Sequence, residues 1–468
     1  MLAAEKAVIV SPDVSHELIE RMLTERMSGA RRQSDVIFNL VRPESLYERP
    51  IPERHRIIFY IGHLEAFDWN LLNSAFFGLK NNHSEFDRLF AFGIDPVGGG
   101  LPADLPSDWP SVNAVHEYVS SVRSALDKNL AQHLARRLGK ISSEPSPTRD
   151  VFPLRILLNV AIEHRLMHAE TLAYMVHQLP LNMKVAELGA PILASPPVTH
   201  RSVPIPAGSV ELGLDRNSDT FGWDNEYEAH TMEVPAFEID RYKVTNRQYL
   251  EFMAAGGYES RAFWTDDDWD WKGAQAISHP LFWKKEGNGW LWRTMFDEVP
   301  LPLDWPVYVS HAEANAYARW TGKSLPTEAE WQRAAYGTAG EDTRPYPWGR
   351  EHPDFGLNAE LNTRFGNFDF HRWDPVPVNA FPDGQSALGV HDMLGNGWEW
   401  TSTVFGPFPG FAPFPFYPGY SADFFDGKHF VMKGGSARTA ACMLRPTFRN
   451  WFQAHYQYVY AGFRCVSR

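Results

Sequence analysis

Cysteine is nearly absent from this chain: only Cys442 and Cys465 occur among its 468 residues. Two cysteines cannot form the disulfide framework of a small secreted domain, so we expect two reduced, buried thiols. The first residues, Met1 to Lys6, lack the basic segment and apolar stretch of a secretory signal. Both observations favour a cytoplasmic location.

Long apolar runs and an excess of positive charge are also missing. No apolar run approaches the roughly 20 residues that a membrane-spanning helix needs, so we expect no membrane partner. The formal net charge is −13, which disfavours binding to a phosphate backbone, so we expect no nucleic-acid partner. With 468 residues, 44% of them hydrophobic, the chain is long enough for two domains with separate cores.

The two halves of the chain differ in composition. Apolar residues recur at helical spacing in the first half, which predicts four long helices at about 15–27, 53–77, 111–138 and 151–177. The 17 Trp, 35 Pro and 34 Gly collect in the second half, which predicts short strands, few helices and many turns. We therefore expect an α+β protein with a four-helix bundle over 10–182, a linker over 183–202 and a loop-rich domain over 203–468.

Three histidines in the predicted helices are candidate metal ligands. His164 and His168 are four residues apart, so a helix places both on one face, close enough to share a metal ion. His63 lies in the second helical pattern, and a bundle that brings it to the pair would form a three-histidine site with open positions. In isolation the pair is also typical of surface or capping histidines, and His63 of a core histidine. Four carboxylates are candidates to hold the outer ring nitrogens: Glu65, Asp68, Glu163 and Glu170.

A series of motifs in the second half carries a family resemblance. They include Lys243-Val244-Thr245-Asn246, Leu325-Pro326-Thr327-Glu328-Ala329-Glu330-Trp331, Gly395-Asn396-Gly397-Trp398-Glu399-Trp400-Thr401 and Gly462-Phe463-Arg464-Cys465. This series resembles the formylglycine-generating-enzyme/sulfatase-modifying family, whose fold is C-type-lectin-like. Behind a DinB-type helical domain with these three histidines, the whole chain resembles the ergothioneine sulfoxide synthases and the related selenoneine synthases.

The resemblance implies a non-heme iron(II) enzyme that uses O2 as a cosubstrate, with His63, His164 and His168 as the iron ligands. Enzymes of the group join a sulfur or selenium donor to the imidazole of hercynine (trimethylhistidine). Iron(II) supplies electrons to O2 that side chains cannot supply. The family has two tyrosines three residues apart, matched here by Tyr417 and Tyr420. The match implies that Tyr417 is the catalytic proton or hydrogen-atom donor and that Tyr420 contacts substrate.

The resemblance implies that Asn450 and Trp451 contact hercynine, since Phe448-Arg449-Asn450-Trp451 matches the family segment that does so. An aromatic ring is a suitable wall for a trimethylammonium group. The donor side departs from the family. Relatives that use γ-glutamylcysteine have an Asp at the position of Phe452. They also have an Arg soon after it, at a position where this chain has an uncharged residue. In those relatives a segment ahead of the third helix supplies an arginine that binds the donor. The corresponding segment of this chain, 101–110, contains no Arg. A charged dipeptide would leave its charges unpaired in such a pocket, at a cost of several kcal/mol.

A neutral donor rich in hydroxyl groups fits the donor side better. The selenoneine synthases of this superfamily take a selenosugar, so the resemblance to them implies a selenosugar donor and a selenoneine synthase. The residues expected to line the donor pocket are Trp109, Phe452, Gln453, His455 and Tyr456. The alternative is an ergothioneine sulfoxide synthase that uses cysteine or γ-glutamylcysteine, with Arg438 or Arg445 supplying the missing charge.

Three other classes of function remain open. A formylglycine-generating oxidase would need Cys442 and Cys465 as a copper-binding pair, although Cys465 lies in a motif typical of a core strand. A lectin-like binding protein without catalytic activity would need no metal at the three histidines. A zinc hydrolase of the DinB type would use the helical domain alone, and the second domain would then have no role in the reaction.

Overall fold

The computed structural model describes residues 12–80, 83–91, 101–137, 152–187, 191–193, 195–340, 343–351 and 364–468. The chain divides into two compact units. The first, here called the helical unit, contains the chain up to Leu172 together with Met183–Val185. The second, here called the C-terminal unit, contains Ala173–Asn182 and Ala186–Arg468.

Helices form the described part of the helical unit. They are α1 (Pro12–Phe38), α2 (Ile57–Leu72), α3 (Ser84–Leu89), α4 (Val112–Arg137) and α5 (Leu154–Gln178), whose last six residues belong to the C-terminal unit. Fourteen of the sixteen residues of α2 are buried; a helix covered on almost every side is a central element of the core. No helix in the described part of the chain is long and apolar enough to cross a membrane.

The four long helices match the predicted helical patterns, with differences at their ends. Helix α1 is longer than predicted because its apolar spacing continues to Ile37, which is completely buried. Helix α2 begins later than predicted because Arg56 is extended (φ −66°, ψ 154°). It continues into a π-helical turn, Asn73–Phe77, and Gly78 ends that turn in the left-handed region (φ 64°), which glycine adopts without strain.

The C-terminal unit combines short strands with four helices in its described residues beyond α5. The helices are α6 (Asn246–Ala254), α7 (Asp266–Ala274), α8 (His311–Trp320) and α9 (Glu328–Tyr336). The strands are β1 (Ser202–Ile205), β2 (Gly208–Leu212), β3 (His230–Val234), β4 (Phe237–Asp240), β5 (Trp283–Glu286), β6 (Gly289–Arg293), β7 (Glu298–Pro300), β8 (Trp398–Val404), β9 (His429–Lys433), β10 (Asn450–Gln453), β11 (Ala461–Gly462) and β12 (Val466–Ser467). This mixture confirms the predicted α+β class.

The strands pair into small sheets, in the orders β1-β4-β12, β10-β9-β8-β11, β2-β3 and β5-β6-β7. Strand β10 lies at the edge of the four-stranded sheet and pairs antiparallel with β9, so that Trp451 is opposite Val431. Just before β10, the buried guanidinium of Arg449 contacts the carboxylate of Glu328 at 2.9 Å. This ion pair ties the start of the strand to α9.

Local sequence signals explain where the short helices begin. Helices α6, α8 and α9 each start with a capping box, in which a Ser or Thr side chain and a Glu or Gln three residues later satisfy exposed backbone N–H groups. The pairs are Thr245 with Gln248, Ser310 with Glu313, and Thr327 with Glu330. The core next to α9 buries large rings, including Trp331, Tyr336 and Phe368.

Candidate functional site

The three predicted ligands come together inside the helical unit. His63 lies on α2 and His164 and His168 lie on α5, and all three are buried, with 3–5% exposure. One ring nitrogen from each lies within 4.8 Å of those of the other two. The Nε2 atoms of His164 and His168 are 3.1 Å apart, a separation that the i, i+4 spacing on a helix allows.

A backbone carbonyl determines which nitrogen of His63 faces the cluster. His63 Nδ1 lies 2.7 Å from the carbonyl oxygen of Phe90, the residue that follows α3. Because a carbonyl only accepts, Nδ1 carries the proton and Nε2 has an unprotonated lone pair for a metal ion.

Burial also keeps the three rings neutral. It lowers the pKa of His63 to about 4 and the pKa of His164 and His168 well below 6.5. Neutral imidazole is the form that binds metal ions.

The separation of His164 and His168 fits a divalent first-row metal. Imidazole nitrogens bind such ions at about 2.0–2.1 Å, so two ligands at right angles are about 3 Å apart, close to the separation of His164 and His168. Phe67 stacks on His164 with ring centroids 3.4 Å apart, and Phe59 stacks on His63 at 4.9 Å. Three neutral nitrogen ligands with no carboxylate among them would leave coordination positions for substrates.

The expectation that Glu65 and Asp68 hold the outer ring nitrogens is wrong, because their charges are used elsewhere. Arg165 on α5 contacts Asp68 at 2.6 Å and Glu65 at 3.0 Å, and Arg123 on α4 contacts Glu65 at 2.8 Å. Two buried carboxylates are stabilised far better by buried guanidinium groups than by neutral imidazoles.

The 101–110 segment lies beside a charged cluster that the sequence does not reveal. Arg49 and Arg56 both pair with Asp104, and the Arg56 Nε lies 3.0 Å from its carboxylate. The indole nitrogen of Trp109 donates to the same carboxylate at 2.7 Å, and its ring lies 5.7 Å from Phe59. The segment itself contains no arginine, but the fold brings two arginines to it, which weakens the argument from missing charge.

In the C-terminal unit, Trp451 lies in an aromatic cluster. Phe405 stacks on it with ring centroids 4.2 Å apart, and Tyr420 meets it edge-on at 5.5 Å. Phe424 borders it at 5.6 Å, and the side-chain oxygen of Asn450 accepts the Trp451 backbone N–H at 2.9 Å. The structure thus brings Tyr420, Asn450 and Trp451 together.

A segment distant in sequence completes this cluster. Trp223 is completely buried and stacks on Tyr420 at 3.9 Å, while Tyr417 lies 5.5 Å from Tyr420. Asp224 accepts the hydroxyl of Ser421 at 2.6 Å, which holds the two segments together. Sequence reasoning missed Trp223, because no local pattern links it to Tyr420.

The residues expected to bind the donor fall into separate groups. Trp109 belongs to the helical unit. In the C-terminal unit Phe452 stacks on Tyr456 at 4.8 Å, and Gln453 at the end of β10 is exposed. His455 instead stacks on Trp271 at 4.4 Å and contacts Asp268 at 2.9 Å.

The two arginines considered as alternative charge donors have partners within the C-terminal unit. Arg445 forms a two-pronged ion pair with the buried Glu226. The guanidinium of Arg438 lies 3.7 Å from the ring centroid of Trp373, and its Nη1 donates to the carbonyl of Phe370 at 2.9 Å. The two cysteines, both in the described part of the chain, form no disulfide; Cys465 is buried as expected, whereas Cys442 is only half-buried.

Comparison with known proteins identifies both parts of the chain. Residues 193–468 match the sulfatase-modifying factor enzyme 1-like domain, and residues 26–172 match the DinB superfamily. The chain belongs to the sulfatase-modifying factor enzyme 1-like family. In this chain that domain follows a DinB domain, which is the arrangement that the motifs and the three histidines predicted, and it contains the Trp451 cluster.

Several relatives of this domain fusion carry functional names. Hercynine oxygenase of Mycolicibacterium thermoresistibile is 38% identical over 320 residues, which cover 65% of this chain and 67% of the relative. Hercynine oxygenase of Mycobacterium tuberculosis is 40% identical over 54% of this chain and 57% of the relative. Ergothioneine biosynthesis protein 1 of Neurospora crassa is 28% identical over 92% of this chain and 56% of the relative. The chain thus spans little more than half the length of the last two.

Proposed function

We propose that this protein is an iron(II)- and O2-dependent enzyme that forms a carbon–chalcogen bond on the imidazole of hercynine. The observation that carries the proposal is the buried cluster of His63, His164 and His168, with one ring nitrogen of each facing the others. The relatives named hercynine oxygenase support hercynine as the acceptor.

Several residues of the helical unit have roles in this proposed reaction. The three histidines would hold iron(II), which supplies electrons to O2 and open positions for substrates. The Phe90 carbonyl keeps the lone pair of His63 on the side of the metal. Phe59 and Phe67 cover the His63 and His164 rings and keep water away from them.

The Trp451 cluster supplies the hercynine contacts in this proposal. Trp451, Tyr420 and Phe424 present ring surfaces at different angles, an arrangement that favours a trimethylammonium group through cation–π attraction. Asn450, next in the chain, would hydrogen-bond the acceptor. Tyr417 is half-buried beside Tyr420 and would provide the proton or hydrogen atom that the oxygen chemistry needs.

A sulfur donor is favoured over the selenosugar that the sequence led us to expect. One relative is named ergothioneine biosynthesis protein 1, and Arg49 and Arg56 lie at the segment that has no arginine of its own. Cysteine or γ-glutamylcysteine is therefore the first candidate donor.

The second candidate is a selenosugar, supported by the neutral ring pair of Phe452 and Tyr456. Sugars stack on such rings. His455 lies in a separate group, where Asp268 holds its Nε2, and its Nδ1 would offer a hydrogen bond to a hydroxyl group. Gln453 and Trp109 remain donor contacts in this proposal.

Turnover of hercynine with iron(II) and O2 tests the proposal, with cysteine, γ-glutamylcysteine, a thiosugar and a selenosugar as donors. Consumption of hercynine with any donor, absent without iron(II), supports the reaction class, and the highest kcat/KM identifies the donor. Phe452→Asp should weaken turnover with a sugar, because it places an unpaired carboxylate against that face, and should spare turnover with a dipeptide. No consumption of hercynine with any donor in the iron-loaded protein would contradict the proposal.

A further inference from the structure

Gly62 is an unexpected residue in the interior of α2. A glycine there costs about 1 kcal/mol relative to alanine, and most other residues of α2 are large and apolar. Space explains the choice. A Cβ atom at this position would lie 2.5 Å from three ring atoms of Phe90, well inside van der Waals contact.

The ring of Phe90 has little room to move away. Phe90 is completely buried, and other rings surround it. The centroids of Phe86, Tyr118 and Trp109 lie 5.7, 5.9 and 6.2 Å from its own. A side chain at position 62 would therefore have to push the Phe90 residue as a whole away from α2.

The same Phe90 residue supplies the carbonyl that accepts the Nδ1–H of His63 at 2.7 Å. Gly62 and His63 are consecutive on α2. The residue against which the Phe90 ring packs is therefore next to the residue that donates to the Phe90 carbonyl. We propose that Gly62 and Phe90 are positioning residues: the missing side chain at 62 lets Phe90 approach and orient His63 with Nε2 toward the metal. The inference rests on the proposed metal role of His63.

Metal affinity of the metal-free protein tests this inference, with Co(II) as the probe because its absorption reports coordination. We expect Gly62→Ala to weaken Co(II) binding by about 10–100-fold, the usual loss when a ligand loses its outer partner. The double variant Gly62→Ala/Phe90→Leu should bind within about threefold of Phe90→Leu, because the smaller side chain makes room while the carbonyl stays.

Gly29 provides a matched control on α1. A Cβ there would meet only Arg32 Nη2, at 3.6 Å. Gly29→Ala should therefore leave Co(II) affinity unchanged and stabilise the helix slightly. A loss of affinity in this control as large as in Gly62→Ala would overturn the inference, because the loss would then be a general effect of the substitution.

The tautomer of His63 gives a second readout that needs neither metal nor turnover. Imidazole ¹⁵N shifts of the metal-free wild type should show the proton on Nδ1, and Gly62→Ala should show a mixture of tautomers. Wild-type Co(II) affinity and an unchanged tautomer in Gly62→Ala would overturn the inference. If Gly62→Ala does not fold, the double variant is compared with Phe90→Leu by the same two measurements. A mixture of His63 tautomers in the double variant, or Co(II) binding more than threefold weaker than in Phe90→Leu, would then overturn the inference. A wild type that binds no metal but keeps the Nδ1 tautomer would contradict the proposed function and leave the His63 orientation standing.

Discussion

The two units build their candidate sites from different materials. In the helical unit, three imidazoles project from two regular helices, which the buried Arg165–Asp68 ion pair also joins. In the C-terminal unit, the Trp451 cluster is built from rings on a short edge strand and on irregular segments. A metal ion requires nitrogen atoms at narrow separations, which helices provide. A trimethylammonium group requires only ring surfaces at suitable distances, which loops can supply.

The largest expected effect is the loss of stability on removing a buried ion pair, and its consequence for metal binding should differ between the two units. Arg165→Met leaves Asp68 and Glu65 short of a partner in the core, so we expect the free energy of unfolding to fall by about 3–5 kcal/mol. Arg449→Met, which removes the nearer cationic partner of Glu328 in the C-terminal unit, should cost a similar amount. Only Arg165→Met should also weaken metal binding, because α2 and α5 carry the ligands. Chemical denaturation and a Co(II) titration measure both quantities, and equal metal affinity in the two variants would remove this distinction.

The pH dependence of stability should report the buried imidazoles. The pKa of His63 is about 4 in the folded protein and 6.5 when unfolded. The unfolded chain therefore binds more protons between these values, and stability falls as the pH drops through that window. The full loss from His63 alone is about 3 kcal/mol.

Denaturant unfolding of the metal-free protein at pH 7 and pH 4.5 measures the effect. His63→Leu should lose less stability over this interval than the wild type does. His311 in the C-terminal unit also has a pKa of about 4, with its ring against the Thr401 carbonyl, so some loss should persist. The same loss in His63→Leu as in the wild type would contradict a neutral, buried His63.

The extent to which the sequence predicts structure also differs between the helical unit and the C-terminal unit. Helical periodicity predicted α2, α4 and α5 and placed His164 and His168 on one face, because an i, i+4 pair is a local relation. The partners of His63 and Asp68 could not be predicted, since Phe90 and Arg165 come from other elements.

In the C-terminal unit local patterns carried less information. The family resemblance identified Trp451 and Tyr420, but Trp223, Trp271 and Asp268 come from segments more than a hundred residues away in the chain. Only tertiary packing reveals such contacts. The separation of His455 from the Phe452–Tyr456 pair is a further example, because neighbours in sequence acquire different partners in a turn.

The smallest expected effect concerns the Trp451 cluster. Trp451→Ala should weaken binding of hercynine by about 1–2 kcal/mol, the range of a desolvated cation–π contact, and should weaken binding of histidine less. Trp271→Ala is a suitable control, because Trp271 contacts His455 and not Trp451 in the described contacts. Calorimetric titration of both ligands into both variants gives the comparison. Equal losses for hercynine and histidine would show that Trp451 does not recognise the trimethylammonium group.

An anaerobic iron(II) titration of the metal-free protein tests the central claim most directly. The wild type should bind one iron(II) per chain, and Ala at His63, His164 or His168 should abolish that binding while the circular dichroism spectrum stays the same. The control His311→Ala removes a buried imidazole from the C-terminal unit and should leave the stoichiometry at one. Undiminished iron(II) binding in any of the three ligand variants would contradict the three-histidine metal centre.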